Sequence, residues 1–395
     1  WDPQNDNMNL TFEISSKGGP WQTVKIYTGV AAGAYTAATS ACVTDNGTLY
    51  TWRVTATDPY GHSTQKTFSF TTVAAVAPVY PGWAYRTAVT VNHAKVAAAI
   101  SNFPVLVDVT LAGLASHAQS SGSDIFFTAA DGTTKLPHEI ESYNASTGHL
   151  VAWVAVPALS DASDVNLYMY YGNPTAANQQ TPTAVWDVNY LTVQHLGDTS
   201  TTVTDSSASH NNGIAANGVS QGVAGSIGSA YKFDGVDDRV TLPSILKGKN
   251  AFTIEALVNP QNQQGYVFSQ RDTAGNGVLL QYYAPAKQFE LYVNKTRLTI
   301  SAPAGQWSQI VATYDGTTAR LYLNGQLAAS AAATFTAPSV AAVIGDSVAG
   351  NRRFAGLIDE IRVSGVARSQ AYVGNLYNNI FSRNLFASFG SEEAR

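Results

Sequence analysis

A single cysteine, Cys42, stands in 395 residues, so the chain has no intrachain disulfide framework and no cysteine-built zinc site. Charge is also scarce: Asp, Glu, Lys and Arg together make up 12% of the residues. The balance is mildly acidic at −5 and no basic run occurs, which argues against nucleic acid and anionic membranes as partners. No apolar run approaches the ~18–20 residues that cross a bilayer, so membrane insertion is not expected. The sequence opens at "WDPQNDN" with no signal-peptide pattern and is expected to be a mature product or an excised piece. Hydrophobic residues, by contrast, reach 45% and aromatics 11%, with 20 tyrosines and 32 glycines. That mixture favours β-structure with many turns, and the length predicts roughly two to four domains.

Period-two alternation recurs along the chain. In "LYTWRVTATD", Tyr50, Trp52, Val54 and Ala56 form an apolar face opposite Leu49, Thr51, Arg53 and Thr55. With "LTFEIS", "WQTVKIYT", the turn "DPYGHS" and "KTFSFTT", it predicts a β-sandwich over 1–73. The Ala/Pro-rich "TVAAVAPVYPG" (72–82) reads as a stiff linker, its body at 74–82. Strand-like runs broken by Asp-Gly and Pro turns then fill 83–188. A third unit, 189–391, contains "DGTTARLYLNGQ", an Asp-Gly turn, an alternating strand and an Asn-Gly hairpin turn. Near its end, Tyr372, Val373, Leu376 and Tyr377 fall at helical spacing and predict a short C-terminal helix, followed by a tail at 392–395. The expected fold is all-β, three β-sandwich modules in series.

These strings also carry resemblances. The first segment resembles immunoglobulin-, fibronectin type III- and cadherin-like modules of microbial surface proteins. The second, through "NFPVLV", "HEIES", "AWVAVP", "YYGN" and "VWD", resembles a bacterial and archaeal domain of unknown function that commonly precedes a laminin-G-like domain in secreted proteins. The third, through "AYKFDGVDDRVTL", "FTIEALVNPQ", "QWSQIVATYDGTTARLYLNGQ", "VIGD" and "FAGLIDEIRVSG" in that order, resembles the laminin-G-like branch of the concanavalin A-like superfamily. That resemblance implies a jelly roll.

The last of those strings poses a chemical problem. As a regular strand, it puts Asp359 on one face with Leu357, Ile361 and Val363, and leaves Glu360 and Arg362 to pair on a wet face. A carboxylate on a core face needs hydrogen bonds or a cation. The laminin-G resemblance implies a structural calcium ion there. Asp359 would bind it from one side, and Asp205 with the backbone about Asn211 and Asn212 in "DSSASHNNG" from the other, Ala208 standing where the family has glycine. Oxygen ligands of this kind suit calcium.

Other strings point away from catalysis. "GVSQG" fits the serine-hydrolase elbow but leads into a glycine-rich loop and a strand, so Ser220 is expected to be a loop residue. Glu255 is a lone carboxylate where a glycosidase needs a pair. His138, Glu139 and Glu141 in "PHEIESY" lack metalloprotease spacing and read as a solvated strand face. Tyr266, Tyr282 and Tyr283 are candidates for contact with a sugar ring. The chain is therefore expected to be a non-catalytic, extracellular or cell-surface binding protein that recognises a glycan or a surface protein. Two alternatives are a self-assembling subunit of a surface layer, sheath or filament, and an accessory carbohydrate-binding region of a polysaccharide-degrading enzyme.

Overall fold

Strand alternation becomes sheet structure throughout the computed structural model, which describes residues 6–39, 42–45, 47–72 and 79–395. Most of the expected linker, residues 73–78, lies outside them. The chain divides into two units, Trp1–Pro78 and Val79–Arg395.

The first unit is an antiparallel sheet in the order Gln22–Val30, Met8–Ser16, Leu49–Thr57, Ser63–Thr71. Its apolar face is the one the alternation predicts: Trp52 stacks on Phe68 at 4.7 Å and Tyr50 on Phe70 at 5.7 Å. The turn after the third strand closes on Asp58, whose carboxylate accepts the N–H groups of Tyr60 and His62. Among the described residues this unit holds one sheet, not the two of a fibronectin-like sandwich. The stretch between Val30 and Leu49, "AAGAYTAATSACVTDNGT", has no sustained alternation, and no described residue in it is in a strand.

The second unit joins two sandwiches. One pairs the sheet Ile100–Thr110, His149–Leu159, His138–Asn144 with a five-stranded sheet built on Tyr85–Val91 and Val165–Tyr171. The edge strand of that second sheet is Ala387–Ala394, from the end of the chain. The expected boundary at 391 and tail at 392–395 are thus corrected. Glu393 accepts a hydrogen bond from Arg86 Nε at 2.6 Å, and Glu392 accepts one from the Tyr171 hydroxyl at 2.9 Å. The other sandwich is a jelly roll of two eight-stranded sheets around Phe233, Ile254, Phe268, Leu280, Leu291, Ile310 and Ile344.

A second core runs between the two sandwiches. Leu106 and Trp153 of the first, paired on the face that carries Glu139, share this core with Tyr190, Leu257, Val311 and Tyr322 of the second, and with Tyr372, Leu376 and Ile380. The last three lie on the helix Gln370–Phe381, capped by the Ser369 hydroxyl accepting Tyr372 N–H. This is the expected C-terminal helix, and its asparagines act as a strap. Asn379 accepts from Leu106 N–H and donates to the Pro104 carbonyl, both at 3.1 Å. Asn375 makes the same reciprocal pair with Ala97 and Ala98.

The strand Ala355–Ser364 settles the question of Asp359. Glu255 pairs with Arg362 and Leu257 with Asp359, so both Glu360 and Ile361 oppose the single residue Ala256. This is a β-bulge, and Glu360 adopts a left-handed φ of +55°. The extra residue resets the alternation. Ile358, Ile361 and Val363 enter the jelly-roll core, while Asp359 leaves that face and joins Glu360 and Arg362 between the sandwiches. The expected core-facing Asp359 and wet-faced Glu360–Arg362 pair are both corrected: Glu360 and Arg362 form an ion pair with each side chain 1% exposed.

Candidate ligand-binding cleft

The jelly roll's other sheet has one covered and one open face. In Gly277–Tyr283, Val278, Leu280 and Tyr282 point into the core, which turns Leu279, Gln281 and Tyr283 outward. In Gln288–Val293, Phe289, Leu291 and Val293 point inward and Glu290 and Tyr292 outward. A bulge after Tyr266 in Gly265–Arg271 sends Val267 and Phe268 both to the core. Tyr266, Ser269 and Arg271 are left on the open side.

On that side lies a cleft of about 610 Å³, floored by the outward residues and walled by the loops at 272–275 and 347–352. Tyr266 and Tyr292 supply rings, Arg271 and Arg352 guanidinium groups, and Gln264, Gln281 and Asn351 amides. The floor is braced sideways, by a neighbour on the same face of the sheet. Buried Glu290 accepts hydrogen bonds from Gln281 at 2.6 Å, Gln288 at 2.7 Å and Tyr292 at 3.3 Å, and pairs with Arg297. Burial acts to raise the Glu290 pKa, but Arg297 and the two amides overcome it and hold the group below its ordinary range. Asp272 is occupied by its own turn, accepting from Asn276 N–H and Nδ2, which hold its carboxyl ionised. Arg271 lies 5.3 Å from the Tyr292 ring centroid. Among the described residues neither Arg271 nor Arg352 has an ion-pair partner, so the cleft offers free cationic donors beside aromatic faces.

The three candidate tyrosines separate. Tyr266 lines the cleft. Tyr283 shares its sheet face but does not line it. Tyr282 is fully buried and donates its hydroxyl to the Ala302 carbonyl at 3.1 Å, so it is corrected to a core residue. Tyr292 was legible in "QFELYV", where three alternating apolar residues force it outward.

The candidate calcium residues also separate. Asp205, Asn211 and Asn212 do meet in one loop. The Asp205 carboxylate accepts from Val193 N–H, Ser207 N–H, the Ser207 hydroxyl and Asn211 N–H, and Asn212 Oδ1 accepts from Asp205 N–H. The Asn211 carbonyl accepts from Gln194 Nε2. Asp359 instead binds Ser226 and Ile227 N–H through Oδ2, at 2.9 and 3.0 Å. Asp205 and Asp359 share no hydrogen-bonding partner, and neither belongs to the groups of three donor residues close enough to share an ion among the described residues. The two carboxylates are thus held by separate sets of backbone N–H groups. Asp205 acts as the organiser of its loop.

Ser220 is exposed at the start of the strand Ser220–Ala224, with no helix after it. Glu255 is buried beside Tyr372. His138 is buried against Phe127, and burial pushes its pKa down to about 4. The solvated-face expectation fails for Glu139 and Glu141, which the jelly roll covers.

Residues 234–374 match the family model of the concanavalin A-like lectin/glucanases superfamily, and 121–211 match a domain of unknown function (DUF2341). The chain thus carries a concanavalin A-like domain preceded by a domain of that second family. Among curated proteins none matches. Domain 4 of AbnA, a GH43 extracellular arabinanase from Geobacillus stearothermophilus, solved with arabinotriose, is 18% identical over 48% of this chain and 98% of its own, with a TM-score of 0.40. The binding domain of Paraclostridial Mosquitocidal Protein 1 is 15% identical over 49% of this chain at TM-score 0.41, and that of botulinum neurotoxin serotype D 12% identical over 50% at 0.40. The chain spans 52% of the length of each of these two.

Proposed function

We propose that the protein is a non-catalytic, extracellular binding protein whose jelly roll holds a saccharide chain in the open cleft. The observation that carries this reading is the pairing of Tyr266 and Tyr292 with the unpaired Arg271 and Arg352 in one recess. Sugar rings offer a C–H face for an aromatic ring and hydroxyls for amides and guanidinium groups. Unpaired arginines add a preference for a saccharide carrying a carboxylate or sulfate. Titration calorimetry with neutral and acidic oligosaccharides tests it. Tyr292→Ala is expected to weaken binding by about 1–3 kcal/mol, roughly 5- to 150-fold, in a chain that circular dichroism shows still folded. Arg271→Ala should reduce the preference for acidic over neutral chains, and Arg271→Ala with Arg352→Ala should remove it. Equal affinity of wild type and Tyr292→Ala for every saccharide that binds would remove the cleft from the function.

A second reading, lateral self-assembly, is favoured by one feature of the first unit. The edge strand Ser63–Thr71 is exposed along its whole length, with Phe68 and Phe70 49% and 40% exposed. Concentration-dependent growth in light scattering that Thr67→Pro abolishes would support this reading; a monomer at all concentrations would sink it.

A further inference from the structure

The interface between the sandwiches holds more negative charge than its cations balance. Glu139, Glu141, Glu255, Asp359 and Glu360 are buried there with His195 and Arg362. Buried carboxylates in this excess need protons or a cation. Three of these residues converge. His195 Nδ1 lies 2.7 Å from Glu360 Oε1 and 3.6 Å from Glu141 Oε2, and one donor atom from each residue fits within 4.8 Å of the others. Four-coordinate zinc, with bonds of about 2.0–2.2 Å to nitrogen and oxygen, places its ligand atoms about 3.3 Å apart. These separations straddle that value.

A second observation is independent of the spacing. Among the described residues Glu141 Oε1 and Asp359 Oδ1 have no hydrogen-bond partner, on side chains 5% and 0% exposed, and neither do Glu255 Oε1 or Arg362 Nε and Nη1 in the same interface. The Glu141 and Asp359 carboxyls border the loop at 225–228. Asp359 binds two of its N–H groups, and a Cβ on Gly228 would come within 2.6 Å of Glu141 Oε1. The bulge at Glu360 brings Asp359 to this side. Outer contacts hold the ligands in place: Trp153 Nε1 donates to Glu141 Oε2 at 2.9 Å, Arg362 pairs with Glu360, and Glu139 faces His195 Nε2 at 3.4 Å. Glu139 in turn accepts from Trp186 Nε1 at 2.8 Å and the Ser206 hydroxyl at 2.5 Å. Imidazole orientation by a carboxylate on its far nitrogen is the usual support of a metal-bound histidine.

We propose that Glu141, His195 and Glu360 bind a buried divalent transition metal, zinc by donor type, that staples the two sandwiches together. One imidazole nitrogen with carboxylate oxygens suits zinc better than calcium, which takes oxygen alone. The ion takes the place of the proton between His195 and Glu360 and enters as the sandwiches close. The other acidic group, Asp234–Asp237–Asp238, is a surface turn whose Asp234 and Asp238 carboxylates already accept backbone N–H groups.

The test uses the full chain, unfolded in guanidinium with chelator and refolded with Zn²⁺, with Ca²⁺, or with chelator alone. After desalting, the Zn²⁺ sample should retain about one equivalent and melt higher than the chelator sample, and the Ca²⁺ sample should do neither. Refolding with Co²⁺ should give the visible absorption of a low-symmetry cobalt site, lost on exchange for Zn²⁺. Glu141→Gln should retain no equivalent, whereas Asp237→Asn should retain it. A natively folded wild type that keeps no zinc and gives no cobalt spectrum overturns the proposal. So does zinc retained equally by Glu141→Gln. Cobalt absorption reads the wild type alone, so the test stands even where a variant fails to fold. Saccharide binding is measured separately, so neither result depends on the other.

Discussion

Raising the pH should destabilise the metal-free second unit. Burial, then the neighbouring charge of Glu360, lifts the Glu141 pKa from 4.5 to about 8. Burial also lifts Glu255 from 4.5 to about 7, against the opposing pull of Arg362. Asp359 is raised well above its ordinary value by burial, Glu360 and Glu141. For His195, burial acts to lower the pKa, but Glu360 and Glu139 outweigh it and raise it. In every case the folded chain keeps a proton that the unfolded chain releases earlier, so these contributions are complete below the unfolded pKa and fade as pH rises toward the folded one. Glu139 and Glu360 have lowered values and act oppositely, their contribution being lost only as pH falls below the carboxylate range. At about 1.36 kcal/mol per unit, Glu141 alone amounts to about 5 kcal/mol between pH 4.5 and 8, and Glu255 to about 3 between 4.5 and 7. The two share Arg362 and Glu360 as neighbours, so they do not add, and a net loss of about 3–5 kcal/mol is expected. A unit of this size loses about 1.5 °C per kcal/mol, giving a fall of about 5–8 °C. Scanning calorimetry in chelator from pH 5 to 8 reads this directly, and Glu141→Gln should flatten the slope. A melting temperature that is level or rises over that range in the metal-free wild type would refute the reasoning.

Replacing Asn379 by Ala strands a buried N–H of Leu106 and the carbonyl of Pro104, and should cost about 2–6 kcal/mol in urea unfolding. Arg362→Leu leaves Glu360 without its guanidinium partner and should cost about 3–5 kcal/mol by the same measurement. Limited proteolysis should cut within 73–82 and leave 83–395 as one band, because Ala387–Ala394 is paired back onto Tyr85–Val91. An early product ending near residue 188 would contradict that last expectation.

Periodicity carried most of the strand content and the C-terminal helix, because strand and helix alternation are local properties. The pairing of Ala387–Ala394 with Tyr85–Val91 was not legible, since "ASFGSEEA" is polar and nothing local ties it to a strand some 300 residues earlier. Tyr266 could be found by residue type, but only the inward run Phe289, Leu291 and Val293 exposes Tyr292. The charged interface was hidden for a different reason. Glu139 and Glu141 alternate with apolar neighbours as they would on a wet strand, and only the docking of a second sandwich makes that face an interior. At Asp359 the failure was one of register. A one-residue bulge reverses every assignment on one side of it, and Glu360, a non-glycine at positive φ, gives no sequence signal for it.

That bulge also separates the two tasks of the jelly roll. Without the extra residue, Asp359 would point into an apolar core and the strand Ala355–Ser364 would lose a buried position. With it, three consecutive apolar contacts stay inside while Asp359, Glu360 and Arg362 gather outside, where Glu139, Glu141 and His195 meet them. The sheet containing this strand is thereby committed to the neighbouring sandwich. The opposite sheet, carrying Tyr266, Gln281 and Tyr292, keeps its outer face open. The two faces are backed by the same core, around Ile254, Phe268, Leu280 and Ile361, but share no polar group. Saccharide affinity at the cleft should therefore be the same in the zinc-refolded and chelator-refolded chain at a temperature where both are folded. A change in affinity with metal under those conditions would mean that the core transmits the state of one sheet to the other.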